Sequence, residues 1–242
     1  PADAVVSFPR FFQVQMIDAQ GAEELAASPA KEELEKLQAV QAEIAEDGGS
    51  ASIHSCDIRQ EDAVKQTVAE ILAQHGRIDG LVNNAGGQYM TPLEAISAKG
   101  WDAVVATNLT GGFLMARECY LQSMQARGGS IVNIVADIWG SMPGMGHSGA
   151  ARAGMVSFTE TAALEWAARG VRVNAVAPGY IASSGMDNYP PEVGPMLREM
   201  ATASLRAQVA DRPDLADKVI PNYPIGGKRS VLDNGVWLEA LK

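Results

Sequence analysis

Ser148, Arg152 and Asn108 are the residues of this sequence with the side chains and spacing to do chemistry. Ser148 stands in His147-Ser148-Gly149-Ala150-Ala151-Arg152-Ala153-Gly154, where a long helical pattern begins, with Arg152 four residues on. A serine hydroxyl is a much weaker acid than a phenol at neutral pH. A guanidinium keeps its positive charge but does not shuttle protons. Asn108 lies in Thr107-Asn108-Leu109-Thr110-Gly111, and Asp137 and Ser141 follow the strand-like run at 131–135. The imidazole of His147 titrates near neutral pH, but at a helix start it is expected to face solvent or a partner. Asp137 is expected to pair with Arg152 as a structural ion pair.

A dinucleotide site makes a different demand. Pyrophosphate is held by backbone N–H groups at a helix N-terminus, approached so closely that side chains must be absent. In the first fifty residues, Gly21 and Gly48-Gly49 do not form the required spacing, and the stretch before the first strong helix offers Pro29 and Lys31. The expectation is therefore no cofactor, or a weakly held NAD(P).

The elements that position these residues are legible from residue 50 onward. A strand is expected over 52–56, ending at Asp57. A helix over 61–74 carries Val64, Val68, Ile71 and Leu72 at helical spacing, with Gly76 as its C-cap. Strands follow at 78–82, 131–135 and 171–177, separated by helical patterns over 97–126 and 147–169. A charged helix is expected over 31–46. Strands alternating with helices of this length indicate βαβ units and a parallel sheet. Continuous apolar strands imply helices on both sheet faces. That predicts an α/β, doubly wound domain with ligands beyond the carboxyl ends of its strands, at 83–87, 136–146 and 178–184. The whole of 1–242 reads as one domain, atypical over 1–50 and 186–242.

The runs Leu81-Val82-Asn83-Asn84-Ala85-Gly86, Gly129-Ser130-Ile131-Val132-Asn133-Ile134, His147–Gly154 and Val173-Asn174-Ala175-Val176-Ala177-Pro178-Gly179 resemble the short-chain dehydrogenase/reductase family. The resemblance implies a Rossmann-like fold and hydride transfer with a nicotinamide cofactor. It places Ser148 where most members have Tyr and Arg152 where they have Lys, with no hydroxyl over 135–137 for the substrate-orienting Ser. It assigns Asn108 to the water relay and Asp57-Ile58 to the adenine pocket. Asn83, Ala85, Gly86, Pro178, Gly179 and Ile181 would border the cofactor, although Asn83 equally serves to tie strands together. Over 80–180 the chain is similar to peroxisomal-type trans-2-enoyl-CoA reductases of the family, some of which also lack Tyr-x-x-x-Lys. Reducing their conjugated double bond leaves a thioester enolate, which needs a hydrogen-bond donor at oxygen. Ser148, Asn108 or Arg152 would serve.

Bulk properties set the limits. A chain of 242 residues, 47% hydrophobic and 20% charged, is ordinary for a globular protein. A net charge of −10 argues against nucleic acid or an anionic membrane surface as a partner. Cys56 and Cys119 lack disulfide or zinc spacing. No run is apolar enough for a membrane span and no signal-peptide pattern appears, so a cytoplasmic location is expected; Pro1 in place of Met points to a trimmed start. Met142, Met145, Met155 and Met186 are candidates to contact an acyl chain. Helices 97–126 and 147–169, with Phe113, Met115, Phe158 and Trp166, are expected to build a homo- or hetero-oligomer with a paralogue.

Joint loss of the glycine loop, Tyr and Lys favours a catalytically degenerate structural or regulatory subunit associated with acyl-CoA oxidoreduction. The alternative is an active NAD(P)H-dependent enoyl-CoA or 3-ketoacyl-CoA reductase using Asn108, Ser148 and Arg152.

Overall fold

Three short strands pair in parallel, in the order β1 (Gly80–Asn83), β2 (Gly129–Ile134), β3 (Val171–Val176). Leu81 lies opposite Ile131, and Ile131 opposite Val173, so the apolar positions form a row across the sheet. The computed structural model describes residues 31–179 and positions 195, 196 and 199, with the side chains of 31–36 left aside. The chain divides into two compact units, Pro1–Ala177 and Pro178–Lys242, and every element here belongs to the first.

Helices α1 (Lys31–Glu46) and α2 (Glu61–His75) precede the sheet. Glu61 and Asp62 place negative charge in the first turn of α2, where the helix dipole favours it. Gly76 ends α2 at φ 78°, a left-handed conformation that glycine adopts without a Cβ clash, and its N–H bonds the carbonyl of Leu72.

β1 and β2 are joined by one long helical rod. It runs through α3 (Ala98–Val105), a π-helical segment (Ala106–Gly111), α4 (Gly112–Cys119), a second π-helical segment (Tyr120–Met124) and α5 (Gln125–Arg127). Ser97 caps it, its Oγ accepting from Gly100 N at 3.1 Å. After β2 comes α6 (Gly146–Trp166), which packs on β3 as α4 packs on β1. These are the βαβ connections that the periodicity predicts.

The core is the contact of α2, α4 and the sheet: Val64, Val68, Leu114, Met124, Ile131 and Val171 are all buried. Each such side chain is worth roughly 1.5–3 kcal/mol relative to exposure. No described helix is long and apolar enough to cross a membrane.

Two expectations change. No strand forms over 52–56. There Ser52 Oγ joins His54 Nε2 at 2.9 Å and His75 Nε2 at 2.8 Å, a local side-chain bonding that competes with ladder formation. Met115, Phe158 and Trp166 do not face outward but pack against the core. Phe158 meets Phe113 and Trp166 edge-to-face, and Tyr120 stacks on Trp166 at 4.3 Å. Of the four candidates only Phe113 is exposed; Trp101, Leu121 and Leu164 are the other exposed large apolar residues described on these helices.

Candidate active site

Asn108, Gly86, Arg152 and Ser148 meet at the carboxyl ends of β1 and β2. Asn108 lies in the first π-helical segment, an interruption that often marks a functional site. Its amide is fully engaged: Nδ2 donates to the carbonyls of Gly87 at 2.6 Å and Val104 at 3.0 Å, while Oδ1 accepts from Gly87 N at 3.1 Å. Asn108 therefore locks the turn after β1. Gly86 must be glycine there, since a Cβ would come within 2.6 Å of Asn108 Oδ1 and 3.4 Å of an Arg152 terminal nitrogen.

Ser148 and Arg152 are one turn apart on α6, so they share a face. Ser148 is wholly buried. Its hydroxyl donates to Gln88 Oε1 at 2.6 Å and accepts from Arg152 Nε at 3.2 Å. Arg152 Nη1 reaches the carbonyl of Ile134, the last residue of β2, at 3.4 Å. A cation, a hydroxyl and a carboxamide are thus wired together where a doubly wound sheet presents its ligands.

Gln88 was not among the sequence candidates. The signal available was positional: it follows directly on the Asn83–Gly87 turn, at the ligand-bearing edge of the sheet.

His147 does not face solvent. It is wholly buried, its ring set edge-to-face against Tyr89 at 4.5 Å. Its Nδ1 accepts from Ser148 N at 2.9 Å, and Nε2 has no hydrogen-bond partner among the described residues. Burial pushes its pKa below the ordinary histidine value. Tyr89 is fixed in turn by Gly100, whose missing Cβ leaves room for the phenol.

Other candidates stand apart. Asp137 is exposed in the loop after β2, its carboxylate accepting from Trp139 N at 3.4 Å. The ion pair expected with Arg152 does not form: Asp137 has run past the strand end, whereas Arg152 turns inward to Ser148 and Ile134. Asp57 binds Arg59 through Nε and Nη2, each at 2.8 Å, and this bonding holds its carboxyl below the usual range. Ile58 is buried against Gly111. Asn83 is occupied structurally, donating to Asn133 Oδ1 at 2.8 Å and to the carbonyl of Gly112 at 3.0 Å. Ala85 packs against the core. Met155 is buried beside Gly112 and is not at the mouth, while Met142 lies beside Gly149. Pro178 and Gly179 begin the second unit, and Ile181 and Met186 lie outside the described residues.

The described residues fit the nicotinamide end of a dinucleotide. The turn after β1 carries only small side chains at Ala85, Gly86 and Gly87, with Asn108 bonded to the Gly87 backbone, and Arg152 brings a cation beside it. Of the first fifty residues, over which no glycine loop was legible, 1–30 lie outside the described set. No cluster of metal-ligating side chains occurs among the described residues.

Comparison with known proteins gives a consistent picture. The family model for short chain dehydrogenases matches residues 13–193. A 3-oxoacyl-[acyl-carrier-protein] reductase from Synechocystis sp. is 42% identical over 152 residues, covering 62% of this chain and 61% of the relative. A probable 2,4-dienoyl-CoA reductase from Bacillus subtilis is 36% identical over 154 residues, with the same coverage. The chain thus spans about three-fifths of the length of these curated relatives. Among solved structures, the citronellol catabolism dehydrogenase AtuB from Pseudomonas aeruginosa PAO1 is 53% identical, with a TM-score of 0.59, covering 77% of this chain and 83% of that one.

Proposed function

This chain belongs to the short-chain dehydrogenase family, with its Rossmann-like α/β fold, and we propose that it is an NAD(P)-dependent oxidoreductase acting on the double bond conjugated to an acyl thioester. The observation that carries this reading is the hydrogen-bonded set Gln88–Ser148–Arg152 at the sheet edge. Such mutual satisfaction of buried polar groups holds the three side chains in one geometry.

The chemistry follows from what these side chains are able to do. A nicotinamide, when bound, supplies hydride. Reducing a conjugated C=C puts negative charge on the thioester oxygen before a proton from solvent reaches the α-carbon. Arg152 stabilises that charge, since a fixed cation in a partly desolvated site needs no reorganisation as charge develops. Interconversion of an alcohol and a carbonyl makes a different demand, an acid–base group of tuned pKa, and neither Ser148 nor Arg152 meets it. The printed names of the relatives, an acyl-carrier-protein reductase and a dienoyl-CoA reductase, support thioesters as the substrate class.

The turn at Ala85–Gly87 and the cation of Arg152 would hold the nicotinamide ribose. Assembly through 97–126 and 147–169, with Phe113, Leu121 and Leu164 outward, and a cytoplasmic location belong to the same proposal.

A second reading keeps the fold without turnover, as a structural or regulatory subunit beside an intact paralogue. Its support is the complete burial of Ser148 together with the saturated amide of Asn108. One experiment separates the two. Purified chain is incubated with a medium-chain trans-2-enoyl-CoA and NADH or NADPH, and dinucleotide oxidation is followed. Reduction that falls at least about 100-fold in Arg152→Ala supports the enzyme. No reduction, with no binding of either dinucleotide by calorimetry, supports the subunit.

A further inference from the structure

A serine hydroxyl has one proton and two lone pairs. Ser148 lies 2.6 Å from Gln88 Oε1, a carbonyl oxygen that carries no hydrogen, so the proton in that contact is Ser148's own. The distance fits O–H···O bonding, which runs shorter than N–H···O. Arg152 Nε–H then points at the remaining side of Oγ, 3.2 Å away. Ser148 accepts from the cation, which has donors only, while Gln88 fixes the direction of the Ser148 proton.

We infer that Gln88 is a positioning residue: by accepting the Ser148 proton it fixes the hydroxyl as an acceptor for Arg152 Nε–H, and so orients the guanidinium on which the proposed chemistry depends. This deepens the proposed function and rests on it for its catalytic meaning. It also separates three residues that the sequence treats as interchangeable donors. Ser148 becomes a strut and Asn108 a clamp on the turn at Gly87. Arg152 is the group that the strut orients.

Geometry explains why a strut is needed. Arg152 is on α6 and Gln88 is in the segment after β1, so the Ser148 hydroxyl is the link between them. The Arg152 Nη1 contact to the Ile134 carbonyl, at 3.4 Å, is at the long end for a hydrogen bond, and the Nε bond to Ser148 is the shorter of the two. If Gln88 is replaced by an apolar side chain, the Ser148 proton must find another acceptor. The hydroxyl then turns, and its lone pair leaves the Arg152 Nε–H.

The first test does not depend on turnover. The Nε–H of Arg152 is identified by nitrogen-15 NMR of the whole chain as the side-chain resonance lost in Arg152→Lys. Its solvent exchange is then compared in four proteins. Gln88→Met and Ser148→Ala should each accelerate exchange at least about tenfold, since both remove the acceptor. Gln88→Glu, which keeps an acceptor for the Ser148 proton, should hold exchange within about twofold of the unsubstituted protein. Release in Ser148→Ala but not in Gln88→Met overturns the inference, as does release in neither.

The second test reads catalysis. Gln88→Met should lower kcat about tenfold or more with KM little changed, and adding Ser148→Ala to it should cost less than a further twofold. A full additional loss would make Ser148 a donor in its own right and refute the assignment. If the unsubstituted protein reduces no enoyl thioester, the proposed function fails by itself, and the exchange measurement still decides the role of Gln88.

Discussion

Asn133 Nδ2 donates to Thr159 Oγ1 at 2.8 Å, and both side chains are buried. The bond joins the middle strand β2 to α6, the helix that carries Ser148 and Arg152. It continues on both sides. Asn83 donates to Asn133 Oδ1, and Thr159 in turn donates to the carbonyl of Met155, one turn earlier in α6. A polar chain thus fixes how far α6 can slide along the sheet, and with it where the guanidinium of Arg152 sits.

Thr159→Val should therefore cost more than the loss of one bond. It leaves the Asn133 amide buried without its acceptor, a penalty of about 1–3 kcal/mol. Urea unfolding measures it. A double-mutant cycle with Asn133→Ala should show coupling of about 0.5–3 kcal/mol. Strictly additive losses would mean that the two side chains do not act together.

Gly86→Ala tests the clamp on the turn after β1. The added methyl would fall 2.6 Å from Asn108 Oδ1, and Asn108 is held by Gly87 and Val104, so it has nowhere to retreat. Overpacking of this kind costs about 1–3 kcal/mol, to be read as a lowered midpoint in thermal or urea unfolding. Trimming Asn108 to Ala in the same protein should recover part of that loss. If Gly86→Ala melts with the unsubstituted protein, the turn is looser than its hydrogen bonds imply.

How much of this was legible in the sequence depended on the kind of signal. Helical periodicity located α2 at 61–74 and α6 near 147–169, resemblance located α1 at 31–46, and glycine punctuation located the ends at Gly76 and Gly128. The strand expected at 52–56 was not legible, because its alternation looks the same whether the chain pairs with a neighbour or bonds to itself through Ser52. Asn108, Ser148 and Arg152 were found by resemblance, and the structure brings them together. Gln88 escaped because a lone glutamine has no spacing rule. Its partner is 60 residues away, and only the fold makes them neighbours. The burial of His147 was missed for a related reason. A helix start is normally solvated, and here Tyr89 from another segment covers it.

His147 predicts a pH dependence of stability. Burial holds its pKa below the unfolded value of about 6.5, outweighing a backbone hydrogen bond to Met145 that favours the charged ring. Above pH of about 6.5 the ring is neutral folded and unfolded, and its contribution is fully present. As pH falls through and below that value, the unfolded chain binds a proton that the native state refuses, and stability is lost. Unfolding free energies of the unsubstituted protein and of His147→Gln should differ by a constant amount above pH of about 7. Below about 6.5 the unsubstituted protein should lose ground steadily. A difference that stays flat down to pH of about 5 would count against a neutral, buried imidazole.

Restoring the residue usual in the family provides the sharpest check on the site as a unit. Ser148→Tyr replaces a wholly buried hydroxyl by a phenol, at a position where Gln88 lies 2.6 Å and Arg152 3.2 Å from the existing oxygen. There is no room for a ring without moving Gln88, so the single substitution should destabilise the fold by about 1–3 kcal/mol or more. It should confer no carbonyl reduction, even with Arg152→Lys added. Removing the obstruction changes the expectation. With Gln88→Gly, Ser148→Tyr and Arg152→Lys combined, stability should recover relative to the Ser148→Tyr/Arg152→Lys protein. The ammonium beside the phenol should also lower its pKa, which ultraviolet titration of the tyrosinate detects. Recovery on opening position 88 would show that Gln88 and Ser148 fill one space together. If Ser148→Tyr alone were as stable as the unsubstituted protein, the closed packing around Ser148 would be refuted.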